Sequence, residues 1–329
     1  MNMISPTKDG DTATLSLLIR QISLEAIGVH AYELVDPTGR DLPPFTAGSH
    51  IDVHLGNGLT RQYSLCNAPS DRHRYVIAVL REEQGRGGSR AVHETLRVGD
   101  QVKVGIPRNN FSLARDARRH VLVGGGIGIT PLKAMAHHLA ATGAEYELHY
   151  CAKGEEYAAF KSELAELAAD HCVTFHYDGG NPAKGLDLAG LLRAPLEGTH
   201  LYYCGPRGFM GACAAASAHW PDGTVHSEHF KAPEPKVGDA AERGTAAVTI
   251  ASTGQRLDIP PDRSIVEVLN EAGIEVPTSC VSGLCGSCKV RYLAGEVDHQ
   301  DFILSDDERS RYLTTCVSRP KGGGLILDL

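Results

Sequence analysis

Cys280-Val281-Ser282-Gly283-Leu284-Cys285-Gly286-Ser287-Cys288 is the stretch around which the rest of the chain is organised. A fourth cysteine, Cys316, follows after a gap of 27 residues. The pattern C-x4-C-x2-C with a distant fourth cysteine is typical of a plant-type [2Fe–2S] cluster, in which four thiolates enclose two irons. Gly283 and Gly286 stand between the cysteines, where a loop around a cluster must turn its amide groups inward.

Two other interpretations of these cysteines are a zinc site and a set of unpaired core cysteines. Zinc usually takes its ligands as two short C-x2–4-C pairs, whereas Cys316 stands alone. The pattern therefore predicts a [2Fe–2S] cluster whose metal ligands are Cys280, Cys285, Cys288 and Cys316.

Length and composition limit the function classes. The chain has 329 residues, nine cysteines and a formal net charge of −8. The length fits two or three domains, and no run approaches the ~20 apolar residues of a membrane span. Residues 1–14 lack the pattern of a secretory signal, and the irregular cysteine spacing does not suggest a disulfide framework, so we expect a cytoplasmic protein. The acidic balance, without a Lys/Arg cluster, argues against nucleic-acid binding.

Residues 1–115 read as short strands separated by turn residues, which predicts a small antiparallel β-barrel. One helix, from near Ser89 to Leu96, interrupts the strands. The clearest predicted strands are Leu15–Ile22, His50–Leu55, Gln62–Cys66, Tyr75–Arg81 and Gln101–Gly105.

Residues 116–231 alternate strands with helices, which predicts an α/β doubly wound nucleotide-binding domain with a parallel sheet. Thr130 suits the N-cap of its first helix, and Pro131 suits the first helical position. The predicted strands are 120–123, 146–151, 173–177, 200–204 and 224–230, and the predicted helices are 132–141, 158–169, 188–192 and 208–219.

Residues 232–244 hold two prolines and several charges with few apolar side chains, which predicts an interdomain linker. Residues 245–329 alternate strands around the cysteines, with a helix at Ile265–Ala272 before them. We therefore expect a multidomain chain in the order barrel, parallel sheet, linker and cluster domain.

Arg61-Gln62-Tyr63-Ser64-Leu65 lies on a predicted barrel strand, where the period of two places Arg61 and Tyr63 on one face. A cation and an aromatic ring so placed could meet the phosphate and the ring of a flavin, and the Ser64 hydroxyl could donate to a ring nitrogen. A half-exposed strand whose side chains are only solvated or packed is the other interpretation.

A glycine-rich stretch, Gly85-Arg86-Gly87-Gly88-Ser89-Arg90, comes immediately before the predicted barrel helix. Amide groups at a helix start, together with the Ser89 hydroxyl, can bind an anion. A flexible hairpin loop with a serine cap is the other interpretation.

A second glycine loop, Gly124 to Pro131, joins a strand to a helix, as a pyrophosphate site requires. It departs from G-x-G-x-x-G, because Pro131 replaces the last glycine, and a plain β-α turn remains an alternative. Cys204-Gly205-Pro206 ends a later parallel strand, where a small thiol leaves room for a flat ring. Glu228 could orient a nicotinamide and Phe230 could cover a flavin face, although an ordinary strand end explains both.

In combination, these motifs resemble the phthalate dioxygenase reductase family from about Leu15 to Leu329, and vanillate O-demethylase reductases look similar. Arg-Gln-Tyr-Ser-Leu, the Gly-Gly-Ser helix start, Gly-Gly-Gly-Ile-Gly-Ile-Thr-Pro, Cys-Gly-Pro and the C-terminal cysteine pattern occur in the family's order. The resemblance implies a ferredoxin reductase-like barrel that binds FMN, a nicotinamide domain and a C-terminal α+β ferredoxin-like (β-grasp) domain.

The resemblance also implies roles for individual residues. Ser64, Cys204 and Glu228 are the candidate catalytic residues. Arg61 and Ser89 would hold the FMN phosphate, with Tyr63 and Ser64 beside the isoalloxazine. The full set of candidate cofactor-binding residues is Arg61, Gln62, Tyr63, Ser64, Gly87, Gly88, Ser89, Gly125, Gly126, Gly128, Thr130, Cys204, Pro206 and Phe230.

The expected function is to pass electrons from NADH through FMN to the [2Fe–2S] cluster and on to a Rieske-type oxygenase that acts on an aromatic acid. We expect NADH rather than NADPH, because Glu155 and Glu156 follow Lys153 where a 2′-phosphate would need cations. We also expect a monomer. The alternatives are a reductase for another acceptor and a non-catalytic iron–sulfur carrier or redox sensor.

Overall fold

The computed structural model describes residues 14–56, 58–85, 87–167, 172–231 and 244–329. Three sequence predictions fall outside these residues: the linker 232–244 apart from Gly244, the N-terminal segment apart from Thr14, and Arg86. The chain forms two compact units, of which the first ends at Phe230 and the second begins at Lys231.

The first unit begins with an antiparallel sheet that closes into a barrel. Its strand order is β4-β3-β6-β1-β2-β5, β7 pairs with β3, and a bridge between Leu65 and Ile77 joins the end of β4 to β5. Apolar side chains from alternate positions, such as Ile51 and Val53, fill its interior. The elements are β1 (Thr14–Ala26), β2 (Val29–Val35), β3 (Ser49–His54), β4 (Thr60–Ser64), β5 (Tyr75–Leu80), α1 (Gly88–Thr95), β6 (Gln101–Gly105) and β7 (Arg108–Asn109).

The rest of the first unit is a five-stranded sheet in the order β10-β9-β8-β11-β12, with every neighbouring pair parallel. The elements are β8 (Arg119–Gly125), α2 (Ile129–Thr142), β9 (Glu145–Ala152), α3 (Lys161–Leu167), β10 (Cys172–Tyr177), α4 (Leu188–Leu191), β11 (Thr199–Cys204), α5 (Arg207–Ala216) and β12 (Val225–Glu228). One face packs against α2, α3 and the barrel, and the other packs against α4 and α5. The predicted doubly wound fold is confirmed.

Two helices of this sheet differ from the sequence prediction at their starts. Helix α3 begins at Lys161 rather than Ala158, because Phe160 has a φ of 60°, which no helical residue adopts, and Ala158 is extended. Helix α2 begins at Ile129, because a 3-10 turn over Gly126–Gly128 runs directly into it. The N-cap position therefore belongs to Gly128, and the prediction of Thr130 as the N-cap was wrong.

The second unit is a mixed five-stranded sheet in the order β14-β13-β17-β15-β16. Helix α6 begins after Ser264, whose hydroxyl and the Glu267 side chain form a reciprocal capping box. The α+β ferredoxin-like prediction is confirmed. The elements are β13 (Ala246–Ile250), β14 (Arg256–Ile259), α6 (Ile265–Glu271), β15 (Lys289–Asp298), α7 (Asp306–Arg309), β16 (Tyr312–Thr314) and β17 (Arg319–Leu327).

Among the described helices, none has the length and apolar character that crossing a bilayer would require.

Candidate functional site

The parallel sheet has its topological switch point between β8 and β11, because β9 and β10 extend it on one side and β12 on the other. Ligands of doubly wound sheets bind at the carboxyl edge beside this point. At that edge Gly124 lies opposite Cys204, and Cys204 lies opposite Glu228. The structure thus brings together three segments that the sequence places far apart.

Glycines shape the loop that leaves β8. A Cβ atom on Gly128 would lie 2.2 Å from the Cys204 carbonyl oxygen, so only glycine lets the loop touch the end of β11. A Cβ atom on Gly125 would lie 3.0 Å from the Phe209 ring and 3.1 Å from Cδ of Pro206. Gly126 has a φ of 53°, and no atom lies within 4 Å of the space where its Cβ would be. One side of the loop therefore packs against the end of β11 and Phe209, and the side at Gly126 is open. A phosphate site formed by backbone amide groups requires such an open side.

Thr130 is buried at this loop without capping the helix. Its hydroxyl donates to the Ile127 carbonyl at 3.0 Å, and the residue is 2% exposed. Gly128, at the N-cap position, has no side chain that could bond the first amide groups of α2. The Ile129 amide donates to the Gly126 and Ile127 carbonyls, so the 3-10 turn continues directly into α2 and the positive end of the helix dipole lies at the glycine loop.

The three candidate catalytic residues meet where the barrel touches the sheet edge. Ser64 Oγ donates to Glu228 Oε2 at 3.3 Å. Burial raises the pKa of Glu228 to about 8, although the Ser64 hydroxyl opposes the change. Burial also raises the pKa of the Cys204 thiol well above its usual value, and the nearby Glu228 charge adds to the effect. At neutral pH the site therefore presents a thiol, a hydroxyl and a mostly protonated carboxyl group.

Arg61 lies against the first turn of α1. A Cβ atom on Gly88 would lie 2.3 Å from Arg61 Nε, so the absence of a side chain at Gly88 makes room for the arginine stem. Arg61 Nη1 also donates to the Thr60 carbonyl at 2.8 Å. Gly87, the N-cap of α1, has a φ of 78° and open space around its missing Cβ. A guanidinium beside an open helix start is a favourable place for a phosphate.

Tyr63, the next residue on the same face of β4 as Arg61, is half-buried against the barrel core. Phe230, just beyond β12, keeps 39% of its surface exposed. Two further predicted cofactor-binding side chains also have partners within the chain. Gln62 Nε2 donates to Asp52 Oδ1 at 3.0 Å, and Ser89 Oγ accepts from the Glu82 amide at 3.0 Å.

The carboxyl end of β9 is acidic, as the sequence indicates. Glu155 and Glu156 form a 3-10 turn there, and Glu155 is ion-paired with Lys161. The Lys153 ammonium lies 5.9 Å from the centroid of the Tyr157 ring. A 2′-phosphate at this place would meet two carboxylates, and Lys153 lies over an aromatic ring. The arrangement is therefore unfavourable for a 2′-phosphate.

In the second unit, the cysteine loop turns its amide groups toward its sulfurs. The Leu284 amide donates to Cys280 Sγ at 3.3 Å, and the Ser287 amide donates to Cys285 Sγ at 3.4 Å. Gly283 and Gly286 have φ values of 71° and 73°, which favour glycine. Such amide donors stabilise thiolates and tune cluster potentials.

The four sulfurs lie in two neighbouring pairs, Cys280 with Cys285 and Cys288 with Cys316. The neighbouring thiol lowers the pKa of Cys285 and, in the other pair, that of Cys288. Within the described ranges, no three His, Cys, Asp or Glu side chains converge on a single ion. Two sulfur pairs fit two irons, each of which would take two of the thiolates.

Sequence reasoning missed Phe209, whose ring covers the glycines of this edge. A Cβ atom on Gly205 would lie 2.6 Å from it, closer than the 3.0 Å for Gly125. Phe209 lies in the first turn of α5, four residues after Gly205. Only the sheet topology brings it over Gly125, so no local pattern could have identified it.

Comparisons with known proteins agree with this geometry. Residues 122–215 match the family model for an oxidoreductase NAD-binding domain, and residues 248–321 match that for a 2Fe-2S iron-sulfur cluster binding domain. The chain is 55% identical to the tert-butanol monooxygenase / tert-amyl alcohol desaturase reductase subunit of Aquincola tertiaricarbonis, over 100% of both chains. It is 47% identical to a vanillate O-demethylase oxidoreductase of Pseudomonas sp. (strain HR199 / DSM 7063), over 96% of this chain and 100% of the relative.

A solved structure gives the same result. Phthalate dioxygenase reductase, described as a modular structure for electron transfer from pyridine nucleotides to [2Fe-2S], has a TM-score of 0.70 and 42% identity over 96% of this chain and 98% of that chain. Fold, site and sequence together show that this chain belongs to the phthalate dioxygenase reductase family, as an oxidoreductase that carries electrons from NADH through FMN to a [2Fe–2S] cluster.

Proposed function

We propose that this chain is the reductase component of a Rieske-type oxygenase system, with FMN held between the barrel and the carboxyl edge of the parallel sheet. The hydrogen bond between Ser64 of the barrel and Glu228 of the sheet carries the proposal, because it joins the flavin strand to the nucleotide edge at 3.3 Å. A flavin beside Ser64 and a nicotinamide beside Cys204 would then be neighbours.

The residues around the flavin would act by binding and orientation. Arg61 and the amide groups at the start of α1 would hold the phosphate, and Tyr63 would pack on the ring. The Ser64 hydroxyl would orient the ring through a hydrogen bond. The Ser89 hydroxyl accepts from the Glu82 amide, which fixes its position and leaves its own hydrogen to donate to the phosphate.

The nucleotide would lie over the glycine loop after β8. The amide groups of Gly126–Gly128 and the start of α2 would bind its pyrophosphate, and Cys204 would leave space for the nicotinamide. Pro206 packs closely against Gly125 on the side of the loop away from the nucleotide. Glu228 would orient the nicotinamide through its protonated carboxyl group. FMN supplies the chemistry that accepts an electron pair as hydride and releases electrons singly.

Cys280, Cys285, Cys288 and Cys316 are the proposed ligands of the cluster. A plant-type cluster has a reduction potential of about −400 mV, and the range of Rieske centres starts at about −150 mV. Electron transfer from the cluster to a Rieske oxygenase is therefore downhill. We propose that the protein works in the cytoplasm as a monomer. The domain bounds 1–115, 116–231 and 245–329 are part of the same proposal.

The partner's substrate class has two candidates. An aromatic acid follows from the family resemblance. A tertiary alcohol is favoured by the relative with 55% identity, which is the reductase subunit of a tert-butanol monooxygenase.

An anaerobic titration of the purified protein with NADH tests the electron route. We expect flavin absorbance to bleach first and the cluster bands to follow. Protein reconstituted with iron, sulfide and FMN that NADH does not reduce would contradict the proposal. Pairing the reduced protein with purified Rieske oxygenases for aromatic acids and for tertiary alcohols, and measuring product formed per NADH, distinguishes the two substrate classes.

A further inference from the structure

The barrel and the parallel sheet pack against each other through an apolar layer. Cys66, Ala78 and Phe111 of the barrel belong to the same buried cluster as Leu132 and Met135 of α2. Such contacts are favourable over a range of relative positions, because burial of apolar surface has no preferred direction. The layer alone therefore does not fix how the two parts are aligned.

Lys133, on α2, is buried in this layer with 2% of its surface exposed. Its ammonium donates to the Cys66 carbonyl of the barrel at 2.9 Å and pairs with Glu163 Oε1 of α3 at 2.7 Å. His137 Nε2 lies 2.8 Å from the same Glu163 oxygen. The charge is thus neutralised and directed at one backbone atom of the barrel.

A second observation at the same place involves Phe160. Its φ of 60° is unfavourable for a residue that has a side chain. The Lys133 ammonium lies 4.6 Å from the centroid of the Phe160 ring, a geometry that attracts a cation. Phe160 therefore keeps an unfavourable backbone conformation at the place where its ring lies against the buried Lys133 ammonium.

The Lys133 bond joins the two elements on which the proposed chemistry depends. Cys66 follows Ser64 by two residues, at the end of the strand that carries Arg61 and Tyr63. Lys133 lies on the first turns of α2, the helix that begins directly after the glycine loop Gly126–Gly128. A hydrogen bond to a carbonyl is directional, so it favours one relative position where apolar contacts alone do not.

We propose that Lys133 is a positioning residue that aligns the flavin strand with the nucleotide-binding helix, and so sets the distance between flavin and nicotinamide. The inference rests on the proposed function, which assigns FMN to the strand and the nucleotide to the helix. Lys133 touches neither group and acts through the Cys66 carbonyl.

The test is Lys133→Met in the protein loaded with FMN and cluster, because methionine has an unbranched chain that fits the same channel without the charge. Stopped-flow mixing with NADH should give a limiting rate of flavin reduction about 10- to 100-fold lower, since small misplacements near reacting groups cost this much. The long-wavelength charge-transfer absorption between nicotinamide and flavin should weaken in parallel. FMN affinity should remain close to that of the unchanged protein, whereas the urea midpoint of unfolding should fall, because the Cys66 carbonyl and Glu163 lose a buried partner.

A readout without FMN completes the test. In flavin-free protein, amide hydrogen exchange over residues 64–68 should become faster in Lys133→Met. The matched control is Lys103→Met, which removes an exposed lysine of β6. The control should change neither exchange, rate nor absorption.

Two results would overturn the inference. In one, Lys133→Met keeps the rate and the charge-transfer band. In the other, Lys133→Met loses FMN in step with the rate, which would make the role purely structural. If Lys133→Met does not fold, Glu163→Gln decides: it keeps the bond to Cys66, so loss of the charge-transfer band in that variant contradicts the inference. Failure of NADH to reduce the unchanged protein would instead contradict the proposed function.

Discussion

Glu228→Gln should make the protein's free energy of unfolding less sensitive to a rise in pH between about 5 and about 8. Burial holds the pKa of Glu228 at about 8 in the folded protein, against 4.5 for an ordinary glutamate. The folded state therefore keeps a proton that the unfolded state releases, so this group's contribution to stability is lost as the pH rises from about 4.5 to about 8. Each pH unit in that window costs up to about 1.4 kcal/mol.

The expected magnitude between pH 5 and pH 7 is therefore about 2–3 kcal/mol. Glutamine keeps an oxygen that can accept from Ser64, so at pH 5 the free energies of unfolding of variant and wild type should be close. At pH 7 the variant should be more stable relative to wild type by that amount. Urea unfolding at both pH values, with FMN held at one saturating concentration, measures the difference.

Glu197→Gln, at an exposed carboxylate before β11, is the matched control and should show no such pH-dependent difference. A stability difference between Glu228→Gln and wild type that stays constant within about 0.5 kcal/mol from pH 5 to pH 7 would refute the reasoning. It would mean that Glu228 is ionised in the folded protein and that Ser64 donates to a carboxylate.

The remaining predictions concern the three binding sites. Gly128→Ala should destabilise the fold by about 1–3 kcal/mol and raise the KM for NADH, because its Cβ would overlap the Cys204 carbonyl oxygen; unchanged urea and NADH titrations would count against the close approach. Arg61→Met should raise the Kd for FMN about 10- to 100-fold, as expected for a lost charge-assisted hydrogen bond, in a fluorescence titration where Arg20→Met serves as the control. Cys316→Ser should abolish the EPR signal of the reduced cluster while FMN stays bound, and a retained signal would remove this residue from the ligand set.

Much of the architecture could be predicted from local signals. The cysteine spacing indicated the ferredoxin-like unit, and alternating strands and helices indicated the parallel sheet. The start of α6 at Ile265 was predicted correctly, and the structure shows a local cause, because the capping pair Ser264 and Glu267 lies within four residues of sequence. Motifs at strand ends also indicated candidate ligand-binding segments, since ligands of doubly wound sheets bind at the carboxyl ends of the strands.

What could not be predicted depends on contacts between distant parts of the chain. The start of α3 was placed at Ala158, because no sequence signal shows that Phe160 adopts a positive φ. Lys133 reads as an ordinary polar residue on an apolar helix, since its acceptor, the Cys66 carbonyl, lies 67 residues earlier. The partners of Gln62 and Ser89 within the chain, Asp52 and the Glu82 amide, could not be predicted either, and the assignment of both residues to a cofactor stays a prediction.

The pairing of the four sulfurs has a consequence for handling the protein. In the fold, the Cys280 thiol is a neighbour of Cys285 and the Cys288 thiol is a neighbour of Cys316. When the iron is lost in air, the same closeness favours oxidation to disulfides, which would compete with rebuilding the cluster. Preparations that have bleached therefore need a thiol reductant before iron and sulfide are added back.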